Sequence, residues 1–319
     1  MEFDQKQRSV NSENRVAILL GTYNGEKFLQ EQLDSILAQT YKNWIIYASD
    51  DGSSDSTLDI LYSFQKRVGK GSVNIKLNGS RKGFVANYLS LVCDSDIQTE
   101  YYAYCDQDDI WEIDKLARAV VWLNTIPKHV STMYCSRTRL INASGEEIGF
   151  SPLFQRPPSF GNALVQSIAG ANTIVFNAAA KELLSLVGKD VDVPSHDWWT
   201  YLVITACGGQ VKYDPYLTIR YRQHTHNVMG TNRGLLAQIK RIKMGMGNVF
   251  RDWTNKHVSA LNNIESKISS DACSKLSFLM SLRNASFINR VFCLKDKKIY
   301  RQSLWGDVFL KIAILLKKI

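Results

Sequence analysis

The sequence predicts an α/β protein in which a mostly parallel β-sheet is flanked by helices and followed by a helical, basic extension. The first observation is that short apolar runs alternate with segments of helical periodicity over the first third of the chain. The second is that these runs carry apolar residues on both sides of the pleat, as strands of a buried parallel sheet do. The third is a change near residue 230, after which the chain is basic and free of proline.

The elements of the first third follow one another in a regular order. Each apolar run is short enough for a strand and ends in turn residues, and each intervening segment spaces its apolar residues as a helix does. The order is strand, helix, strand, helix, strand, helix, strand, over residues 15–24, 25–40, 44–49, 57–66, 73–78, 83–93 and 101–106. Alternation of this kind favours a parallel sheet with helices on both faces.

Beyond residue 111 the pattern is less regular. We expect helices at 113–125 and 196–209, the second beginning after an N-cap-like Ser195, and strands at 131–141 and 211–224. The predicted division is a domain over 1–230, with halves of about 15–111 and 112–230, and an extension over 231–319.

Charge separates the same two parts of the chain. The 319 residues carry a net charge of +9, but residues 231–319 hold 17 Lys or Arg against 5 Asp or Glu. The first 230 residues hold 22 against 25, so the basic character belongs to the extension.

The sequence also predicts the compartment. Its six cysteines are scattered without a CxxC pair, its first 14 residues are polar, and no run of 18 apolar residues occurs. We therefore expect a cytoplasmic chain without a transmembrane helix.

Three polar clusters follow the predicted strands. They are Thr22, Tyr23 and Asn24; Asp50 and Asp51; and Asp106, Gln107, Asp108 and Asp109. Open parallel sheets bind ligands beyond the carboxyl ends of their strands, so the clusters are expected to share one crevice. Carboxylates ~5 Å apart repel by somewhat under ~1 kcal/mol in water and by more when partly buried.

A bound cation would offset the repulsion in the third cluster. Asp106 and Asp108, two residues apart at a strand end, can both reach one hard ion that bridges to a diphosphate. The alternative is a solvated acidic turn, which is the simpler interpretation for Asp109, while Asp114 is expected to cap the next helix. Dinucleotide-binding, P-loop, zinc-protease and serine-hydrolase motifs do not occur.

Several ordered motifs resemble family 2 glycosyltransferases of the GT-A fold, which has a Rossmann-like sheet. They are VAILLGTYNGEKFLQEQLDSILAQTYKNWIIYASDDGSSDST, GFVANY and YYAYCDQDDIWEIDK. HDWWTYLVITACGG and YRQHTHNVMG resemble the bacterial rhamnosyltransferase branch in particular. The resemblance covers roughly residues 15–230, so that 15–111 would bind the nucleotide sugar and 112–230 the acceptor.

The resemblance implies a role for each candidate residue. Thr22, Tyr23, Asn24, Asp50 and Asp51 would contact the base or ribose, and Gln107 and Arg222 would lie near the donor. Asp106 and Asp108, with His224, would hold Mg²⁺ or Mn²⁺ against the diphosphate. Asp197 would be the general base that deprotonates the acceptor hydroxyl, and its position at a predicted helix start favours its charged form.

Simpler interpretations remain open for the neighbouring residues. Asp197 on spacing alone is an acid in the first turn of a helix, and His196 could be a cap residue. One of the two residues Trp198 and Trp199 is expected to be a core residue, and the other is expected to form a platform for the acceptor. His226 is more simply a surface histidine, and Arg81 with Lys82 is as easily a solvated turn as a phosphate contact.

The end of the extension is amphipathic. Residues 304–319 place Leu304, Trp305, Val308, Phe309, Ile312, Leu315 and Leu316 on one face of a helix. A basic amphipathic helix with tryptophan is typical of a surface that lies in a membrane interface, and cations near anionic lipid contribute about 1 kcal/mol each. The alternative is a helix packed on the catalytic domain or on a second copy of the chain, as in a homodimer. Nucleic acid is not expected, because no basic-aromatic repeat is present.

The resemblance implies a metal-dependent, inverting enzyme, and with the basic extension it places that enzyme at the inner face of the bacterial plasma membrane. The resemblance implies transfer of L-rhamnose from dTDP-β-L-rhamnose to a lipid-linked surface polysaccharide or O-antigen intermediate. The alternatives are a UDP-hexose or UDP-N-acetylhexosamine donor, a silent scaffold subunit, and a nucleotidyltransferase. Intact Asp106, Asp108 and Asp197 argue against a silent protein, and the absence of a basic loop after the first strand argues against a nucleotidyltransferase.

Overall fold

The structure of the protein, a computed structural model, describes residues 14–78, 83–224 and 249–319. Its strands are β1 (Val16–Thr22), β2 (Trp44–Asp50), β3 (Val73–Leu77), β4 (Tyr101–Cys105), β5 (Ile110–Trp111), β6 (Thr132–Ile141), β7 (Glu147–Phe150), β8 (Val175–Asn177) and β9 (Gln210–Arg222). Its helices are α1 (Leu29–Leu37), α2 (Thr57–Val68), α3 (Phe84–Val92), α4 (Lys115–Leu123), α5 (Phe160–Ala163), α6 (Ala178–Val187), α7 (His196–Ala206), α8 (Val249–Leu261), α9 (Ser270–Asn284), α10 (Phe287–Cys293) and α11 (Leu304–Leu315).

The predicted order of strands and helices from β1 to β4 is confirmed. The described strands form one sheet in the order β3-β2-β1-β4-β8-β6-β9-β5, with β7 beside β6. Strands β3, β2, β1 and β4 are all parallel, so the chain moves outward from β1 to β3 and then crosses to the other side of β1 to form β4. This reversal makes a crevice between β1 and β4 at their carboxyl ends.

The second half of the sheet mixes directions. Strand β8 is antiparallel to β4 and β6, whereas β9 is parallel to β6. The carboxyl end of β9 therefore lies at the same edge of the sheet as the carboxyl ends of β1, β2 and β4. The short strands β5, β7 and β8 were not predicted from the sequence, because two to four residues are too few to show a period.

The two faces of the sheet bury separate hydrophobic clusters. Strand β1 alternates between them, since Leu19 packs in one cluster whereas Ile18 and Leu20 pack in the other. The cluster of Leu19 also contains Trp199 of α7 and Leu310 of α11. The described part of the extension is thus packed against the sheet domain.

The predicted boundary at residue 230 lies outside the described residues, as do Arg81, Lys82 and His226, so those predictions stay untested. None of the described helices combines the length and apolar character needed to cross a bilayer.

Candidate active site

The predicted polar clusters meet at one edge of the sheet. Thr22 and Asp50 are paired at the carboxyl ends of β1 and β2, and Leu20 is paired with Cys105 at the end of β4. At the end of β9, Arg222 is paired with Ile141 in the parallel β6–β9 ladder. The loops that follow these strands form the walls of the crevice.

The first two clusters are bound to each other. The Thr22 hydroxyl donates to Asp50 Oδ2 over 2.8 Å, and Asp50 also accepts from the Ser53 backbone N–H at 2.8 Å and hydroxyl at 2.6 Å. Asn24 has a φ of 47°, and its backbone N–H donates to the Ser53 hydroxyl. Asp51 is buried and accepts from the Gly83 backbone N–H at 2.8 Å. These contacts fix the loop shapes, and the expected contacts of these residues with a base or ribose stay predictions.

Gln107 joins the acidic loop after β4 to the loop after β1. Its amide nitrogen donates to the Tyr23 carbonyl and its amide oxygen accepts from the Tyr23 N–H, both over 2.9 Å. A Cβ at Gly25 would lie 2.3 Å from that oxygen, so the pairing requires glycine there. The observed role of Gln107 is therefore to position Tyr23.

Asp106 lies half-buried at the end of β4. Its Oδ1 accepts a hydrogen bond from the Tyr88 hydroxyl at 2.7 Å, and Tyr88 itself is buried in α3. Burial, and next the charge of Asp108, raise the pKa of Asp106 to about 7. The negative charge of Asp108 therefore opposes the ionisation of Asp106.

Asp108 and His224 are adjacent although 116 residues separate them in the sequence. His224 Nε2 lies 2.8 Å from Asp108 Oδ2, and the imidazole ring packs on Phe28 with 5.1 Å between ring centroids. Two carboxylates and an imidazole are suitable ligands for Mg²⁺ or Mn²⁺. Across the described residues, no three His, Cys, Asp or Glu side chains already form a metal-binding group.

Asp109 corrects one sequence interpretation, because it is not a solvated turn residue. It is fully buried and accepts hydrogen bonds from the Asn172 side-chain amide and from the Arg222 backbone N–H, the latter at 2.9 Å. Burial and the charge of Asp108 raise its pKa well above the usual range. Asp114 does occupy the N-cap position of α4, but its side chain makes no capping bond.

Arg222 is buried beneath the acidic loop. Its Nε donates to the Asp108 carbonyl at 2.9 Å, its Nη1 donates to the Ala143 carbonyl at 3.2 Å, and its Nη2 pairs with Glu31. The guanidinium also covers the Phe28 ring at 4.5 Å. Arg222 thereby holds α1, the turn after β6 and the acidic loop together, and its expected contact with the donor stays a prediction.

Asp197 lies in the first turn of α7 and is half-buried. Its Oδ1 accepts from the Trp198 N–H at 2.7 Å, and it also accepts from Ser195 and from the Ala171 backbone. Burial raises its pKa, although these hydrogen bonds act in the opposite direction. The charge of Asp197 contributes to the raised pKa of Asp106, so the two carboxylates lie within electrostatic range.

His196 and Tyr88 form an aromatic contact between the two halves of the site. Their rings stack with centroids 4.0 Å apart and an interplanar angle of 18°, and Tyr104 meets His196 edge-on at 4.8 Å. Neither ring nitrogen of His196 has a hydrogen-bond partner among the described residues, and burial lowers its pKa to about 3. Tyr88 was not identified from the sequence, because nothing in the segment GFVANY indicates that this tyrosine donates a hydrogen bond to Asp106.

The two tryptophans after Asp197 are both core residues. Trp198 is buried and its indole N–H donates to the Ala163 carbonyl at 2.6 Å, while Trp199 is fully enclosed. The expectation that one of them forms an acceptor platform is therefore wrong. A helix that packs between the sheet and the extension has apolar neighbours on both of these positions.

A crevice with carboxylates at the switch point of an open α/β sheet is the arrangement of a nucleotide-binding α/β enzyme. The family description "Glycosyl transferase family 2" matches residues 17–181. This chain belongs to that family and is a glycosyltransferase.

Individual relatives agree with this assignment. The dTDP-rhamnosyl transferase RfbG of Shigella flexneri is 31% identical over 256 residues, which cover 76% of this chain and 83% of the relative. The putative glycosyltransferase EpsE of Bacillus subtilis is 35% identical over 116 residues, covering 36% and 40% of the two chains.

Solved structures show the same GT-A fold. TarS of S. aureus, in complex with UDP-GlcNAc, matches with a TM-score of 0.54 and 14% identity over 85% of this chain and 80% of that one. The mannosyltransferase PcManGT of Pyrobaculum calidifontis, in complex with GDP-Man and Mn²⁺, matches with a TM-score of 0.53 and 15% identity over 98% and 92%.

Proposed function

We propose that this glycosyltransferase transfers L-rhamnose, with inversion, from dTDP-β-L-rhamnose to a lipid-linked intermediate of a surface polysaccharide or O-antigen. The donor proposal is supported by the similarity to RfbG, a dTDP-rhamnosyl transferase that aligns with three quarters of this chain. The reaction proposal rests on one observation. Asp197 follows His196, whose ring stacks on Tyr88, and the Tyr88 hydroxyl donates to Asp106, so the carboxylates of the two halves of the chain meet at one crevice.

Asp197 is the proposed general base. Inversion requires a carboxylate on the side of the sugar opposite the leaving diphosphate, where it accepts the proton of the attacking hydroxyl. A base benefits from a pKa above that of a solvated aspartate, and burial acts in that direction here. Hydrogen bonds from Ser195 and the Ala171 backbone orient the carboxylate before the acceptor arrives.

The proposed metal ligands are Asp106, Asp108 and His224. They fit Mg²⁺ or Mn²⁺ because they supply oxygen and imidazole donors, and because Asp108 and His224 already lie 2.8 Å apart although they come from distant parts of the sequence. When bound, the ion would offset the negative charge that develops on the departing nucleoside diphosphate. The Tyr88 hydroxyl holds Asp106 in place.

The nucleotide would lie over the carboxyl ends of β1 and β2. Thr22, Tyr23, Asn24, Asp50 and Asp51 are the proposed base and ribose contacts, with Gln107 and Arg222 maintaining the shape of the pocket. The acceptor would approach from the side of α7. A lipid-linked acceptor would place the enzyme at the cytoplasmic face of the plasma membrane, which fits the basic extension.

The test is a binding panel. Calorimetry would measure dTDP-rhamnose, UDP-glucose, UDP-galactose, UDP-N-acetylglucosamine and GDP-mannose, each with Mn²⁺ and with a chelator. We expect selective binding of dTDP-rhamnose that the chelator weakens. Selective binding of a UDP or GDP sugar would retain the family and refute the rhamnosyl donor, and binding unaffected by the chelator would refute the metal. A chain that binds none of the five would be assigned to the scaffold alternative.

A further inference from the structure

Helices α10 and α11 expose an unusual number of large apolar side chains. The exposed residues of this apolar face are Phe287, Ile288, Val291, Phe292, Leu304, Trp305, Val308, Phe309, Ile312 and Leu316. Within each helix they recur at intervals of one, three and four residues, so they lie along one side. The three most exposed of them are Leu304 at 86%, Trp305 at 75% and Phe292 at 68%.

The two helices contact each other, and the opposite side of α11 is buried. Leu310 and Ile314 belong to the same hydrophobic cluster as Trp199. The amphipathic pattern predicted for 304–319 is thus real, but the helix uses its other side for packing. An apolar face left in water after folding is typical of an interaction surface.

The segment that carries the apolar face is basic. Residues 287–319 contain eight Lys or Arg and two Asp or Glu. One of the two acids, Asp307, pairs with Arg156 at 2.6 Å, and the other, Asp296, lies 3.5 Å from Lys298. The side chains of Lys295, Lys297, Lys311 and Lys317 are exposed.

We propose that the apolar face of α10 and α11 binds the surface of an anionic lipid bilayer and fixes the orientation of the catalytic half on it. Apolar and aromatic side chains flanked by lysines match an interface in which acyl chains lie below anionic headgroups. A second copy of the chain fits less well, since it would bring two positively charged segments together. Nucleic acid would use the lysines and leave the apolar side chains in water.

The surface is connected by a chain of contacts to α7, the helix that carries the proposed base. Arg156 pairs with Asp307 and covers the Tyr300 ring at 3.9 Å, and the Ser159 hydroxyl donates to the Tyr300 hydroxyl at 2.8 Å. Ser159 caps α5, which packs against α7, the helix that begins beside Asp197. A bilayer bound to α10 and α11 therefore has a defined position relative to the proposed base.

The proposal deepens the proposed function, because a bilayer surface is where a lipid-linked acceptor would be found. Its test uses no substrate, so its failure is distinguishable from failure of the donor panel. The full chain would be sedimented with phosphatidylcholine vesicles and with vesicles that contain ~30% phosphatidylglycerol. We expect binding to the anionic vesicles only, weakened by salt.

Two exposed residues serve as the probe. The double variant Phe292→Glu, Trp305→Glu should bind anionic vesicles at least ~10-fold more weakly, because it places two carboxylates where apolar groups would enter the interface. The control is Val121→Glu on α4, a residue that is 70% exposed and distant in sequence from the surface. Both variants should retain the unfolding temperature of the parent, since the changed side chains are exposed.

Three results would overturn the proposal. One is equal vesicle binding by the double variant and the parent, and another is equal loss of binding in the control. The third is a concentration-dependent dimer, measured by analytical ultracentrifugation, that the double variant abolishes, because the surface would then be an interface between copies.

Discussion

The stack of His196 on Tyr88 gives a prediction about both stability and activity. In His196→Ala the ring that fills the space between Tyr88 and Tyr104 is lost, and a buried cavity of this kind costs about 2–4 kcal/mol. Tyr88 would also lose the contact that orients its hydroxyl toward Asp106. We expect kcat/KM to fall ~10- to 100-fold, the usual effect of displacing a reacting group by about 1 Å.

His196→Phe separates the packing of the ring from its titration. The pKa of His196 is lowered from 6.5 to about 3 by burial. Between these pH values the unfolded chain binds a proton that the folded protein does not, so the free energy of unfolding falls as the pH falls. From pH ~7.5 to ~5.0 this loss is about 2 kcal/mol for one histidine. Phenylalanine retains the aromatic contact and removes the loss.

The measurement is urea unfolding of the parent and both variants at pH ~7.5 and ~5.0, with kcat/KM at the higher pH. The parent should lose about 2 kcal/mol more than His196→Phe on acidification, and His196→Phe should restore most of the activity that His196→Ala loses. An identical pH dependence in the parent and His196→Phe would refute a buried neutral histidine. Equal activity in all three proteins would refute a positioning role.

Two further predictions concern single residues. Asp197→Asn should reduce transfer at least ~100-fold and leave donor affinity near that of the parent, and weaker donor binding with normal turnover would place Asp197 in the donor site instead. His257 packs edge-on against Trp198 at 4.7 Å, and burial lowers its pKa to about 4. His257→Leu should therefore reduce the loss of unfolding free energy at pH ~5 by about 2 kcal/mol and leave kcat unchanged. If the unfolding free energy of that variant depends on pH as that of the parent does, His257 is accessible to water.

The crevice could be predicted because its walls follow strands with a clear signal. The runs of β1, β2 and β4 are apolar on both sides, and strands of this kind are parallel and central. Parallel strands bring their carboxyl ends to one edge, so the residues after each run are neighbours whatever their separation in sequence. The pairing of Thr22 with Asp50 follows from this register.

The burial and the hydrogen-bond partners of individual residues in the acidic cluster could not be predicted. Asp108 and Asp109 are adjacent and chemically identical, yet Asp108 faces His224 while Asp109 is buried against Asn172. The partner of each aspartate comes from a distant segment, and the local sequence pattern does not indicate which segment that is. For the same reason the pattern could not show that Arg222 packs beneath the cluster.

The segment HDWW shows how packing directs four successive side chains to different surroundings. Successive residues of a helix point about 100° apart, so a helix packed between the sheet and the extension sends them in different directions. His196 stacks on Tyr88, the Trp198 indole donates to the Ala163 carbonyl, and Asp197 is half-buried. The extension contributes to this arrangement, since its core residues belong to the same hydrophobic cluster as those of α7. Its packing therefore bears on the geometry of the proposed base as well as on any contact with a membrane.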